Sequence, residues 1–241
     1  MRTRIASLKI AVLSFCLFAG NAVAETLPLP DALIALDSDR GERLLFESEA
    51  MAAYWPLSMQ FVTQRTQTYC GVATLVMVLN ALGVPAPATP EIEPFRTFTQ
   101  DNVLNEETEK ILPKEILAEQ GMTLDQIGQF LGAYAVKAEV RHAADSTLDE
   151  FRTLATQHLA APDRYVIVNY LRRALGQERG GHISPLAAYD ADTDRFLLLD
   201  VSRYKYPPVW VEADDLFGAM NTTDSDNEDR TRGFVLVRGD H

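Results

Sequence analysis

The chain has 241 residues, 47% of them apolar, and a formal net charge of −12. That length and apolar content suit one domain, or two intimate lobes, around a substantial core. So acidic a chain repels nucleic acid and anionic lipid, which excludes a phosphate-tracking surface and leaves no nucleic-acid partner to expect.

At the N-terminus, Arg2, Arg4 and Lys9 precede an apolar run over 10–18, and Ala22-Val23-Ala24 leads into Glu25. This is the three-part pattern of a secretory signal peptide cleaved after Ala24. Its apolar core is too short to span a bilayer comfortably as a helix. The expected organisation is a signal peptide over 1–24 and a single domain over 25–241, exported to a periplasmic compartment with no membrane association after cleavage. Cleavage removes three cations and no acid, so the charge moves from −12 to −15. It also removes Cys16 and leaves Cys70, which can form no internal disulfide. A leftover thiol in an oxidising compartment is either buried and inert or reactive.

The acidic, leucine-containing stretch 27–49 predicts an arm and a short helix, and 58–68 an extended approach. Residues 70–82 (CGVATLVMVLNAL) are strongly apolar and predict a helix capped by Gly83, which Pro85, Pro87 and Pro90 prevent from continuing. The region 91–113 reads as a long loop with a short helix. Thr123 is the expected N-cap of a helix over 124–133, and Ser146 or Thr147 that of one running to His158. The character then changes. Residues 165–170 (YVIVNY) are β-branched and aromatic, a strand by composition. Residues 183–189, the polar turn 190–194 and 195–201 predict a β-hairpin, 224–229 a surface loop, and 233–237 a closing strand. Helices first and antiparallel strands second predict an α+β fold.

Cys70 stands at the mouth of the apolar helix, where unpaired N–H groups and the positive dipole end stabilise a thiolate. Gln64, six residues earlier, is a natural oxyanion donor beside the N–H of Cys70 itself. A thiol nucleophile needs a base, and the base an acceptor that holds its tautomer. Of the four histidines, His142, His158 and His241 read as solvated. His182 follows Gly180-Gly181 at the start of a strand, and Asp200 ends the partner strand of the same hairpin. Residues equidistant from the turn face one another, so His182 and Asp200 are expected side by side. Alone, such a couple is more often an ion pair or a hydrogen-bonded polar group of the core. Cysteine on an early helix, histidine on a later strand and acid on the next reproduce the papain-like order.

The segments QRTQTYCGVATLVMVLNAL and GGHISPLAAYDADTDRFLLLDVSRYKYPPVWV resemble the catalytic domain of phytochelatin synthase. That is a papain-like glutathione γ-glutamylcysteinyltransferase, and the resemblance runs from about residue 56 to 238. It implies a helical lobe carrying the nucleophile helix, packed on an antiparallel sheet. It implies Cys70 as nucleophile, His182 as acid–base, Asp200 as orienting acid and Gln64 in the oxyanion hole. Arg172, Arg203 and Lys205 match basic positions tied to substrate handling, and Asp224 could receive the substrate α-amino group. Glutathione is the implied partner, and its two carboxylates call for fixed cations. The chain has neither the cysteine-rich C-terminal region nor the further catalytic-domain cysteines of plant-type members. It thus resembles the short prokaryotic form, which implies more deglycylation than polymer synthesis.

No cofactor is implied. Cadmium or zinc would enter as a thiolate complex of the accepting glutathione, because one cysteine and four scattered histidines offer no ligand spacing for a metal site. A homodimer is compatible with the sequence. A papain-like peptidase of the bacteriocin-processing type would explain Cys70 and His182 but not Arg172 or the SRYKYPPVW segment. A non-catalytic thiol-binding protein with a dead site is the remaining reading.

Overall fold

A computed structural model describes residues 26–90 and 92–239. The signal-peptide expectation, Cys16 and His241 lie outside the described residues. The first half of the domain is mainly helical. A two-residue strand β1 (Ile34–Ala35) leads to α1 (Asp39–Glu47), capped by Ser38, whose side chain accepts from Gly41 N. Next comes α2 (Tyr54–Met59), which the extended reading of 58–68 missed at its start. The apolar helix is α3 (Cys70–Ala81), and Gly83 follows it at φ 65°, the left-handed conformation that ends helices. Its residues from Cys70 to Leu79 are all buried. A helix apolar on every side is a core helix, and this one is enclosed.

α4 (Glu106–Ile111) is the short helix expected in the long loop, and α5 (Lys114–Gln120) was not expected. α6 (Leu124–Ala133) begins at Thr123 with a complete capping box, in which Thr123 Oγ1 accepts from Gln126 N and Gln126 Oε1 from Thr123 N. Strand β2 (Lys137–His142) and α7 (Leu148–Leu159), capped by Thr147, follow.

The second half builds the sheet from β3 (Arg164–Leu171), β4 (Gly181–Asp190), β5 (Arg195–Leu198), β6 (Val209–Glu212) and β7 (Gly233–Arg238). Between β6 and β7 lies α8 (Ala213–Met220). All pairings are antiparallel, in the order β1-β6-β5-β4-β3-β7-β2. The α+β expectation, a nucleophile helix on an antiparallel sheet, is what the chain adopts. Helices cover both faces. Gly128 of α6 packs so closely on Val140 of β2 that a Cβ would lie 2.4 Å from Val140 Cγ2. Phe151 of α7 meets the ring of Phe234, which belongs to the neighbouring row and hence the opposite face. Burial on both faces explains why β3 reads as a continuous apolar run rather than an alternating one.

Three expectations need correction. β5 stops at Leu198, and the β4–β5 register shifts between Leu186 and Ala188, so Leu186 faces Leu198 while Ala188 faces Leu197. This bulge carries Asp200 opposite Ser184, and the cross-strand partner of His182 is Tyr170 of β3. His142 and His158 are buried, not solvated. His142 sits between Thr231 O and Asp125 Oδ1, the latter at 3.1 Å, because α6 and the approach to β7 close over β2. His158 lies under the fold with Nδ1 3.0 Å from Leu154 O, and burial holds its pKa below the ordinary value. Finally, Asp224 and Asn227 of the supposed surface loop are buried. Among the described residues, no helix is long and apolar enough to cross a membrane.

Candidate active site

Cys70 is the first residue of α3, and His182 the second of β4. Thr74, one turn along α3, donates to Ile183 O at 3.2 Å, which pins the helix start beside this part of β4. Gly71 makes the approach of a third element possible. A Cβ there would stand 2.8 Å from Met122 Sδ and 3.0 Å from Ile127 Cδ1, so any larger residue would push the side chains of the α5–α6 turn and of α6 away from the thiol.

The imidazole of His182 lies close enough to the Cys70 thiol for each to shift the other's pKa. Its Nε2 lies 2.9 Å from Asp200 Oδ1 and 3.0 Å from Ser184 Oγ, which leaves Nδ1 for the sulfur. Asp200 is completely buried. Its Oδ1 also accepts from Ser202 N at 2.8 Å and Arg172 Nη2 at 2.9 Å, and Arg172 Nη1 lies 2.8 Å from Oδ2. Arg172 is itself buried, donates to Gln177 Oε1 at 2.8 Å, and stacks 5.2 Å above the Tyr206 ring.

These contacts set the charge states. Burial pushes the Cys70 thiol up, but the hydrogen bond and charge of His182 and the N–H groups of Ile183 and Gly71 outweigh it and hold the thiol below its ordinary value. Burial pulls His182 down. The Asp200 carboxylate, with help from Cys70, outweighs both that and the opposing charge of Arg172, and the imidazole ends above its ordinary value. Asp200 is pushed up by burial and held well below the carboxylate range by His182 and Arg172. A lowered thiol beside a raised imidazole favours the thiolate–imidazolium pair, a nucleophile with a proton donor already in contact.

The cleft beside Cys70 is walled by Gln67 and Thr68, by the turn 120–123 with Gln126, by Asn169 and Gly181 to Ile183, and by Asp224, Asp226 and Arg232. Arg232 Nη2 lies 3.1 Å from Asp224 Oδ1, while Nη1 reaches Thr222 Oγ1 at 3.2 Å and Thr223 O. Arg232 lies against Gly181, where a Cβ would meet Nη2 at 3.3 Å. The space left by that glycine is thus filled by an arginine.

The residues picked from sequence fall into two groups. Cys70, His182 and Asp200 come together, and Asp224 reaches the same cleft. Gln64 is buried, with Nε2 2.7 Å from Thr66 O and 3.2 Å from Tyr204 Oη, and Oε1 2.6 Å from Ser202 Oγ. Arg172 does not line the cleft, being spent on Asp200 from behind. Arg203 lies exposed over the Phe61 ring at 4.7 Å, and Lys205 pairs with Glu178 Oε2 at 2.8 Å and reaches Gln67 Oε1 at 3.4 Å. Sequence reading missed Ser184, Asn169 and Arg232. HISP offers Ser184 by strand alternation, two residues from the histidine, but nothing local separates Arg232 from Arg230. Among the described residues, no three His, Cys, Asp or Glu side chains gather as a metal would require.

Fold and site together define a protein with a thiol, imidazole and carboxylate in line on an α+β frame. The chain belongs to the phytochelatin synthase family, whose family model matches residues 24–234. It is 35% identical over 88% of its length to glutathione gamma-glutamylcysteinyltransferase 3 of Lotus japonicus, and 33% identical over 89% to the protein of that name numbered 1 from the same plant. It spans less than half the length of these relatives, 43% and 42% respectively. Among solved structures it is similar to xylellain, a cysteine protease from Xylella fastidiosa, with 11% identity, 92% of this chain and 90% of that chain covered, and a TM-score of 0.39.

Proposed function

We propose that the protein is a glutathione γ-glutamylcysteinyltransferase and deglycylase working through an acyl-enzyme on Cys70. The observation that carries this reading is the buried line Cys70–His182–Asp200, in which His182 Nε2 lies 2.9 Å from Asp200 Oδ1, the thiol is lowered and the imidazole raised.

The Cys70 thiolate attacks the carbonyl that joins cysteine to glycine in glutathione. The carbon–sulfur bond forms, and the oxyanion is met by the Cys70 N–H and the Gln64 amide. The carbon–nitrogen bond then breaks as His182 gives its proton to the departing glycine amine. A γ-glutamylcysteinyl thioester remains. Water, or the α-amine of a second glutathione, attacks the thioester and gives a proton to His182, and the Cys70 thiolate leaves. The products are γ-glutamylcysteine or the two-unit phytochelatin.

Asp224 and Arg232 support this substrate. A γ-glutamyl group ends in an α-amine and an α-carboxylate, and a fixed Asp–Arg pair on the cleft wall offers one partner of each sign. Asp200 and Arg172 act by positioning: the acid holds the imidazole, and the arginine holds the acid. Lys205 reaches Gln67 of the cleft wall at 3.4 Å, which supports a role in receiving the second glutathione, and Arg203 is assigned to the same substrate with it. Heavy metal enters as substrate, bound to the thiols of accepting glutathione. Export through the N-terminal segment 1–24 is part of the same proposal.

Brief exposure to glutathione followed by intact-protein mass spectrometry tests the reading. A γ-glutamylcysteinyl adduct on Cys70 that decays with time, absent in Cys70→Ala, is expected. Glycine release without that adduct, or no release at all, would overturn it.

A further inference from the structure

Both protons of the Gln64 amide are already taken. Nε2 donates to Thr66 O at 2.7 Å and to Tyr204 Oη at 3.2 Å. The orientation of the amide is forced, since a backbone carbonyl can only accept and the nitrogen must therefore face Thr66. Ser202 Oγ meets the other end, Oε1, at 2.6 Å. An amide NH₂ carries two donors, so a tetrahedral oxyanion on Cys70 would find none free.

The two bonds differ in kind. The bond to Thr66 is short and spans two residues, ending on main chain. The bond to Tyr204 is longer, reaches a residue 140 positions away, and ends on a side chain 46% exposed. The longer bond, to the more exposed partner, yields first.

We propose that Tyr204 is a latch on the oxyanion donor: its hydroxyl holds the second Gln64 N–H until the negative charge growing on the substrate carbonyl takes that proton's bond over. This rests on the acyl-transfer reading above. Tyr204 is a positioning residue here, acting on substrate only through Gln64. Its place in the chain suits the role. Ser202 donates its N–H to Asp200 and its hydroxyl to Gln64, so the short segment 200–204 holds the orienting acid and both ends of the amide.

Tyr204→Phe removes the hydroxyl and keeps the ring, and Tyr204→Leu is the second variant. Each is compared with wild type, Gln64→Ala and the double variants in two reactions at Cys70. One is single-turnover acylation by glutathione, read by intact mass. The other is alkylation by iodoacetamide, a displacement that builds no oxyanion. Loss of one competing hydrogen bond should speed acylation about fivefold and leave alkylation unchanged. In the Gln64→Ala background the acceleration should vanish. Slower or unchanged acylation without the hydroxyl, or an acceleration that survives loss of Gln64, overturns the latch. If the wild type is alkylated at Cys70 yet never acylated by glutathione, the acyl-transfer reading falls and the latch falls with it.

Discussion

Arg172 sets its two terminal nitrogens 2.8 and 2.9 Å from the two oxygens of Asp200, and both side chains are buried. The contact to Oδ1 is an aligned hydrogen bond, whereas the one to Oδ2 is an ion-pair approach without hydrogen-bond alignment. Removing one member of a buried pair strands the other charge, at a cost of about 3–5 kcal/mol. Arg172→Met should therefore lower stability by roughly the low end of that range, because Ser202 N and His182 still hold the acid. Arg172→Lys keeps the charge but loses the planar fork, and should recover only part of the loss. Denaturant unfolding reads the stability. Steady-state kinetics with glutathione should show kcat reduced at least about tenfold with KM little changed, the pattern of a mispositioned acid. A rise in KM at constant kcat would instead return Arg172 to the substrate contact that sequence comparison implies.

The charge states of the central pair give a pH prediction. Cys70 is lowered and His182 raised, so the thiolate–imidazolium form occupies a window between the two titrations. The acid limb belongs to the thiol: as pH falls through its lowered pKa, the nucleophile is protonated. The alkaline limb belongs to the imidazole, which loses the proton that the proposed acylation would pass to glycine. Iodoacetamide alkylation of Cys70 should thus rise with a midpoint below the value of about 8.5 for a free thiol. In His182→Ala the two largest contributions that lower the thiol disappear, and burial, which raises it, is left to dominate. The midpoint should then move above about 8.5, and glycine release should be lost. An unmoved midpoint would mean that the helix terminus alone ionises the sulfur.

Most of the nucleophile helix was legible because its signals are local. An apolar run over 70–82, a glycine at 83 and prolines beyond it dictate one buried helix whatever surrounds it. Thr123 and Thr147 announced α6 and α7 for the same reason. His182 and Asp200 are not equidistant from the turn: β4 and β5 close it at Asp190 and Arg195, a register that alone would set Asp200 opposite Pro185. A bulge near Ala187 moves the acid one place along, opposite Ser184 and onto the face of β4 that carries His182. No residue pattern marks that bulge. His142, His158 and Arg232 were misjudged or missed because their burial depends on α6, on α7 and on the segment 222–232 folding over them, which is tertiary.

Ser184 is the unanticipated neighbour of the imidazole. Its Oγ lies 3.0 Å from His182 Nε2 and accepts from Val201 N at 3.3 Å, so it spaces β4 from the segment that carries the acid. Ser184→Ala should leave Val201 N unpartnered in a dry place and cost about 1–2 kcal/mol of stability. It also removes one acceptor for the imidazolium N–H. The raised pKa of His182 should fall back, and the alkaline limb of the kcat profile should move to lower pH. A change in stability with the alkaline limb unmoved would reduce Ser184 to a packing role.

The Asp224–Arg232 pair predicts how the two ends of the substrate divide their contributions. Asp224 Oδ1 is held by Arg232 at 3.1 Å, while Arg232 is fixed by Thr222 and Thr223, so the arginine stays in place if the acid is neutralised. Asp224→Asn keeps the shape and removes the charge that would meet the γ-glutamyl α-amine. Losing one charge-assisted contact of about 1.5–3 kcal/mol should raise KM for glutathione roughly tenfold or more, with a smaller effect on kcat. Arg232→Met should do the same through the α-carboxylate, with an added stability loss because Asp224 is left buried and unpaired. Substrates separate the two effects. A glutathione analogue lacking the α-amine should discriminate poorly between wild type and Asp224→Asn, yet remain sensitive to Arg232→Met. One lacking the α-carboxylate should behave the other way round. If both variants lose the same factor against both analogues, the pair serves only to hold the segment 222–232 against Gly181, and the γ-glutamyl group is recognised elsewhere in the cleft.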